Sequence, residues 1–193
     1  MKKYDAVIIG FGKGGKTLAG TLAANGKNVA LIEKDADMYG GTCINVGCIP
    51  SKSFVTSAAF SAKLDSSFEE KAKLYRKAVE KKTRLTAALR DKNYHKVADL
   101  ENADVYNGTA SFLDSRHVAV ALQGETLELE ADQIFINTGA RPFVPLIEGL
   151  SDSRRAYISE TILSLEELPK RLVIIGGGYI GMEFASIYTN FGS

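Results

Sequence analysis

Residues 4–34 read YDAVIIGFGKGGKTLAGTLAANGKNVALIEK. The run 4–9 is short, apolar and rich in β-branched side chains, which suits a buried strand. Glycines stop it. From Lys16 onward Leu18, Ala19, Leu22 and Ala23 recur at helical spacing, and Gly26 is placed to end the helix. The run 28–34 reads as a second buried strand. A strand–helix–strand unit of this length predicts a parallel crossover, and with it an α/β fold.

The turn inside that unit, Gly10-Phe11-Gly12-Lys13-Gly14-Gly15, fits G-x-G-x-x-G. Gly10 permits the tight turn, Gly12 lets backbone approach a pyrophosphate, and Gly15 allows close packing of helix on strand. Phosphate would then lie at a helix N-terminus, where N–H groups and the helix dipole favour negative charge. Glu33 ends the next strand about 20 residues on, where an acidic side chain accepts hydrogen bonds from ribose hydroxyls. Lys34 follows it as a further nucleotide-binding candidate. The competing reading is a glycine turn that holds no ligand.

Downstream, residues 51–100 read as helical, with a charge-laced stretch carrying Leu74, Val79, Leu85 and Leu89. A solvated amphipathic helix packed on a core accounts for it better than a nucleic-acid or partner helix. Alternating stretches follow (VYNGTASFL, HVAVALQ and ETLELEADQIFINTG), with a turn-like Gln123-Gly124 between the last two; they predict a β-meander. LSDSRRAY is polar and linker-like. LVIIGGGYIGMEFAS then repeats the pattern of strand, glycines and helix, with Gly176, Gly178 and Gly181 in fingerprint spacing. The expected organisation is a cofactor domain over 1–150 with a helical insertion at about 53–100, a linker over 151–170, and the start of a second Rossmann-like unit over 171–193.

Composition sets limits on partners. The chain has 193 residues, 45% of them hydrophobic, and a formal charge of +1, so no single-sign field points to nucleic acid or an anionic membrane. Its apolar runs fall short of the roughly 20 residues of a membrane span. A soluble, cytoplasmic protein is expected. In a reducing cytosol, its two cysteines are better read as catalytic, metal-binding or incidental than as a structural disulfide. With two distant histidines, His95 and His117, a zinc site is not expected and no metal ligand is assigned.

Those cysteines lie in Gly40-Gly41-Thr42-Cys43-Ile44-Asn45-Val46-Gly47-Cys48-Ile49-Pro50-Ser51-Lys52. On one regular helix, such a spacing separates the sulfurs' residues by about 7.5 Å of rise. A disulfide needs Cα atoms nearer about 5.5–6 Å. Bridging them requires a distorted turn, to which Gly47 and Pro50 are suited. Two buried, inert cysteines are the alternative. Two dinucleotide fingerprints flanking such a pair suit an enzyme that takes hydride from nicotinamide, stores electrons in a flavin and passes them to a disulfide.

At GGTCINVGCIPSK the chain resembles the class I pyridine nucleotide-disulfide oxidoreductases, the FAD-dependent family of dihydrolipoamide dehydrogenase, glutathione reductase and mercuric reductase. Ile136-Asn137-Thr138-Gly139-Ala140 is similar to the family's A-T-G element, and GGGYIGMEFAS supports the match. GFGKGGKTLA, MYGGTCINVGCIPSK and NFGS resemble more narrowly its reactive-chlorine-resistance subgroup, which is associated with copper(II) reduction.

The resemblance implies a Rossmann-like FAD-binding domain and the start of an NAD(P)-binding one, with FAD and NAD(P)H as cofactors. Gly10, Gly12 and Gly15 would hold the FAD pyrophosphate, with Glu33 on the ribose. Gly41 and Thr42 would lie along the cofactor, Ala110 near the adenine, and Thr138 and Gly139 on its other side. Cys48 would be the charge-transfer thiol and Cys43 the interchange thiol. Lys52 would approach the flavin and pair with Glu183, and Tyr179 would lie over the nicotinamide pocket. The acceptor would be a small molecule, a disulfide or a metal ion. The family's His–Glu acid–base pair and dimer interface lie in a C-terminal half, so a homodimer is expected of the full-length protein and inefficient turnover of residues 1–193 alone. A dihydrolipoamide dehydrogenase, or a flavin-binding redox sensor without turnover, would carry the same motifs.

Overall fold

The computed structural model describes residues 1–193. The first strand, β1 (Lys2–Ile9), leads through the glycine turn into α1 (Lys13–Ala24) and then β2 (Val29–Glu33). Helices α2 (Thr42–Asn45), α3 (Cys48–Ser61) and α4 (Phe68–Ala98) follow, then β3 (Ala103–Asn107), β4 (Thr109–Phe112), β5 (His117–Ala121), β6 (Thr126–Ile136) and α5 (Tyr179–Phe191). The single sheet has the order β3-β2-β1-β6-β5-β4. Its first four strands are parallel, and β6, β5 and β4 form the antiparallel meander.

Two compact units divide the chain, each made of two segments: residues 1–45 with 87–140, and residues 46–86 with 141–193. The first unit holds the sheet. Alternate side chains of its central strands go to opposite faces: Ala6, Ile8, Val29 and Leu31 pack with Ala19 and Ala23 of α1 and Val97 of α4. Val7, Ala30 and Ile32 pack with Val118, Val120 and Leu129 of the meander. A strand buried on both faces reads as a continuous apolar run, which is what 4–9 shows. Gly26 leaves the helix at φ +75°, as its place in the sequence predicts.

The second unit is built on aromatic side chains. Phe54, Tyr75, Phe184, Tyr188 and Phe191 form its core with Ile162, Leu163 and Leu168, so the segment 151–170 contributes packed residues as well as polar ones. The Tyr75 hydroxyl donates to the Leu165 carbonyl at 2.8 Å and meets the Tyr188 hydroxyl at 3.0 Å. Burial raises both phenols above their ordinary range. α4 starts on a capping box in which the Ser67 amide donates to Glu70 Oε2 at 2.9 Å and the Glu70 amide to Ser67 Oγ at 3.3 Å.

One element departs from the sequence reading. The run 172–175, expected to be a strand, pairs with nothing, and Val173 and Ile175 stand 86% and 61% exposed. An apolar run becomes a strand only where a neighbour completes its hydrogen-bond ladder, and no segment of the second unit supplies one. No helix is long and apolar enough to cross a membrane.

Candidate functional site

The glycine turn between β1 and α1 is shaped by contacts that leave no room for a side chain. Gly10 has φ +109°, and a Cβ there would lie 2.2 Å from the Asn137 carbonyl oxygen. At Gly15 a Cβ would lie 2.3 Å from the Gly10 carbonyl oxygen and 3.1 Å from Ile8 Cγ2. Gly12 is the N-cap of α1 and provides no side-chain cap, so the first-turn amides keep no side-chain acceptor. A bare helix N-terminus behind a loop stripped of Cβ atoms fits a dinucleotide pyrophosphate.

Two further segments close on the turn. Gly40 donates its amide to the Phe11 carbonyl at 3.0 Å. Gly41, at φ +79°, brings its own backbone so near that a Cβ would lie 2.7 Å from Gly12 Cα. The Glu33 carboxylate accepts from the Phe11 amide at 2.9 Å through Oε2 and from the Asp35 amide at 3.2 Å through Oε1. It therefore ties the turn to the chain after β2 and keeps further lone pairs for a hydroxyl donor. Lys34 is exposed beside it.

Asn137 is the residue that sequence reasoning passed over. Its amide donates to the Ile9 carbonyl at 2.8 Å, and its Nδ2 donates to the Gly10 carbonyl at 3.1 Å. The family-like element at 136–140 thus meets the glycine turn through Asn137, with Thr138 and Gly139 exposed just beyond it. Ala110 sits in β4 opposite Val120, half-buried in the meander.

The turn that carries Cys43 is held by a polar network from α4. Asn45, nearly buried, donates Nδ2 to the Tyr39 and Gly41 carbonyls, each at 3.0 Å, and accepts from Arg90 Nε at 3.1 Å. Arg90 also pairs with Asp37. Tyr39 stacks between Phe11 and Tyr94, with ring centroids at 5.0 and 4.9 Å. Thr42 is exposed and Cys43 half-buried in the short helix α2.

In the second unit, Cys48 is the exposed first residue of α3 and Pro50 the third, a position where proline's missing N–H costs nothing. One helix ends at Asn45 and the next starts at Cys48, so the cysteines do not share a regular helix, the break that bridging them would need. Lys52, one turn into α3, forms an ion pair with Glu183 of α5, the pairing expected from the sequence. Tyr179, the first residue of α5, is 84% exposed.

The second fingerprint repeats the first in backbone and in its last glycine's contacts, while Gly176 and Gly178 have nothing within 4 Å of a Cβ position. Gly176 has φ +106°, Gly178 caps α5 at φ −72° and ψ 173°, and a Cβ on Gly181 would lie 2.6 Å from the Gly176 carbonyl and 3.2 Å from Ile174 Cγ2. Gly12 caps α1 at φ −70° and ψ 177°. His95 and His117 take no part: His95 pairs with Asp99 and His117 with Asp114 on exposed surface.

Comparison with known proteins agrees with this geometry. The family model described as pyridine nucleotide-disulphide oxidoreductase matches residues 4–193. A probable pyridine nucleotide-disulfide oxidoreductase of Escherichia coli K12, RclA, is 48% identical over 193 residues, which is 100% of this chain and 41% of that protein. A mercuric reductase of Streptomyces lividans is 36% identical over 198 residues, covering 98% of this chain and 41% of the reductase. The solved Cu(II) complex of the HOCl-induced flavoprotein disulfide reductase RclA from Escherichia coli superposes with a TM-score of 0.91 at 48% identity, over 100% of this chain and 41% of that one. The chain thus spans less than half the length of these relatives.

Proposed function

The chain belongs to the pyridine nucleotide-disulphide oxidoreductase family, and on that footing we propose that its full-length protein passes electrons from NAD(P)H through FAD to a Cys43–Cys48 pair and on to an acceptor. The observation that carries the reading is the pair of fingerprint turns with the same cap dihedrals and the same close approach of the third glycine to the first glycine's carbonyl, one before the cysteine motif and one after it. When bound, FAD supplies a two-electron relay, accepting hydride from the nicotinamide and giving electrons to the disulfide.

The chain's own residues bind and orient. Gly10, Gly12 and Gly15 present the α1 amides to the pyrophosphate, Gly41 and Thr42 run along it, and Glu33 takes the ribose. Ala110, Thr138 and Gly139 complete the contacts in the first unit. Cys48 is the thiol assigned to the flavin and Cys43 the one assigned to the acceptor. Glu183 holds Lys52 at a fixed place on α3, where its ammonium offers positive charge to a reduced centre. Gly176, Gly178 and Gly181 give the nicotinamide nucleotide its own helix N-terminus, and Tyr179 is placed to cover the ring. Residues 1–150 then constitute the FAD domain and 171–193 the first part of the NAD(P) domain, in a cytoplasmic homodimer.

For the acceptor, the relatives support a disulfide or a metal ion, RclA being a disulfide reductase. One is a mercuric reductase, and the structure of another was solved with Cu(II). Anaerobic titration of the full-length protein with NADH and NADPH, followed by absorption, tests the proposal. A long-wavelength thiolate-to-flavin band after about two electrons is expected. Bleaching of the flavin without that band would remove the cysteines from the electron path.

A further inference from the structure

Gly10 and Phe11 share the peptide plane on which the first turn pivots, and a side chain holds each end of it. The Gly10 carbonyl accepts from Asn137 Nδ2 at 3.1 Å, and the Phe11 amide donates to Glu33 Oε2 at 2.9 Å. Glu33 is the last residue of β2 and Asn137 directly follows β6, so the plane is clamped from the two strands that flank β1. A glycine at φ +109° has wide freedom to turn such a plane over. Reversal would set the Gly10 carbonyl against the Glu33 carboxylate and take the acceptor away from Asn137 Nδ2; both side chains oppose it. Gly12, the N-cap of α1, is the next residue, so the setting of this plane fixes how the chain enters the helix.

Asn137 also accounts for a glycine that the fingerprint does not call for. G-x-G-x-x-G requires Gly10, Gly12 and Gly15, and Gly14 is additional. A Cβ on Gly14 would lie 2.9 Å from Asn137 Oδ1, and outside α1 no other residue comes within 4 Å of that position. A Cβ on Gly12 or Gly15 would lie 3.0 or 2.8 Å from Asn137 Nδ2. The amide therefore lies across the bare start of α1, with its nitrogen bonded to Gly10 and its oxygen against Gly14.

We propose that Asn137 is a positioning residue for FAD: with Glu33 it holds the Gly10–Phe11 peptide in the one orientation that presents the turn to the pyrophosphate, and Gly14 leaves the room its side chain needs. This role rests on the reading of the turn as the FAD pyrophosphate site. Asn137 acts by preorganisation, since backbone fixed before binding loses less freedom when the ligand arrives.

The test reads the affinity of the full-length protein for FAD. Flavin is stripped from the protein, FAD is added back, and its dissociation constant is measured by ultrafiltration. Asn137→Ala removes the donor and should weaken FAD about fivefold, the worth of one net hydrogen bond. Asn137→Asp keeps the shape of the side chain but sets a carboxylate against the Gly10 carbonyl, and should weaken FAD about thirtyfold. A side chain that only filled space would give the opposite order. Gly14→Ala is an uncharged test that leaves Asn137 in the sequence. Its methyl displaces Oδ1 and with it the Nδ2 bond, so FAD should weaken about fivefold in the wild-type background and by less than about twofold in Asn137→Ala. Asn137→Ala that binds FAD as the wild type does, Asn137→Asp that binds it more tightly than Asn137→Ala, or an equal loss from Gly14→Ala in both backgrounds overturns the proposal. Where Asn137→Ala does not fold, an unchanged affinity in Gly14→Ala overturns it. Wild-type apoprotein that takes up no FAD would instead overturn the FAD reading of the turn, and the role of Asn137 with it.

Discussion

Two glycines on one helix should respond oppositely to the same added methyl. Gly20 lies in the middle of α1 with no atom within 4 Å of the place a Cβ would take, whereas a Cβ on Gly15 would lie 2.3 Å from the Gly10 carbonyl oxygen. Alanine is favoured over glycine in a helix interior by about 1 kcal/mol, so Gly20→Ala should stabilise by that amount. At Gly15 the methyl must first open the contact to at least 3.4 Å, the edge of ordinary van der Waals approach. The blocking atom is backbone, held in a turn whose Gly10 amide donates to Ile32 at 2.7 Å and whose carbonyl accepts from Asn137 Nδ2 at 3.1 Å. It cannot swing aside as a side chain would. Overpacking of this sort costs about 1–3 kcal/mol, and an immovable partner places it at the upper end. Gly15→Ala should therefore lose about 2 kcal/mol net. With a urea dependence of about 2 kcal/mol per molar, its midpoint should fall by about 1 M while that of Gly20→Ala rises by about 0.5 M. Urea unfolding followed by far-ultraviolet circular dichroism measures both. Equal midpoints for the two variants would refute the claim that Gly15 is fixed by sterics.

Two other perturbations probe the first unit. Asn45→Ala leaves the Tyr39 and Gly41 carbonyls without their donor and Arg90 without its neutral acceptor; a loss of about 2–3 kcal/mol is expected by thermal unfolding, with faster amide exchange confined to residues 39–45. The second concerns acid. Tyr4 donates to Asp104 at 2.5 Å and Lys2 pairs with it at 3.2 Å, and together they hold that carboxyl below its usual range. A carboxyl lowered in the folded state stabilises the protein above its unfolded value of 3.8, and that contribution is lost as pH falls through the folded value. Asp104→Asn should thus lower the urea midpoint at pH 7 and flatten its decline below about pH 4; parallel curves for variant and wild type would exclude the linkage.

Much of the site was legible because its signals are local. Glycine spacing after an apolar run decides the first turn, and the interval between Cys43 and Cys48 rules out a single regular helix for a bridged pair. Lys52 with Glu183 was reachable only through resemblance, since 131 positions separate them. Asn137 escaped because its task is a contact 127 positions away, where neither periodicity nor composition carries information. Arg90 escaped for a different reason. Helical periodicity separates an apolar face from a polar one, and on the polar face it cannot tell a solvated side chain from one that anchors a loop. The capping box at Ser67 and Glu70, by contrast, is a local signal that the residue spacing alone carries.

The expected strand at 172–175 shows what a sequence pattern encodes and what it does not. β1 and the run before Gly176 have similar apolar character, and the turns that follow them agree in cap dihedrals and in the third glycine's contacts with the first glycine's carbonyl and with an isoleucine. β1 nevertheless lies between β2 and β6, whereas Val173 and Ile175 face solvent. The turn therefore owes its shape to glycine, to the helix it starts and to the isoleucine two residues before it, all within one short segment. The ladder is a separate requirement. Anion-binding geometry needs only the turn; rigidity needs neighbours, which the first turn has in Ile32 and Asn137.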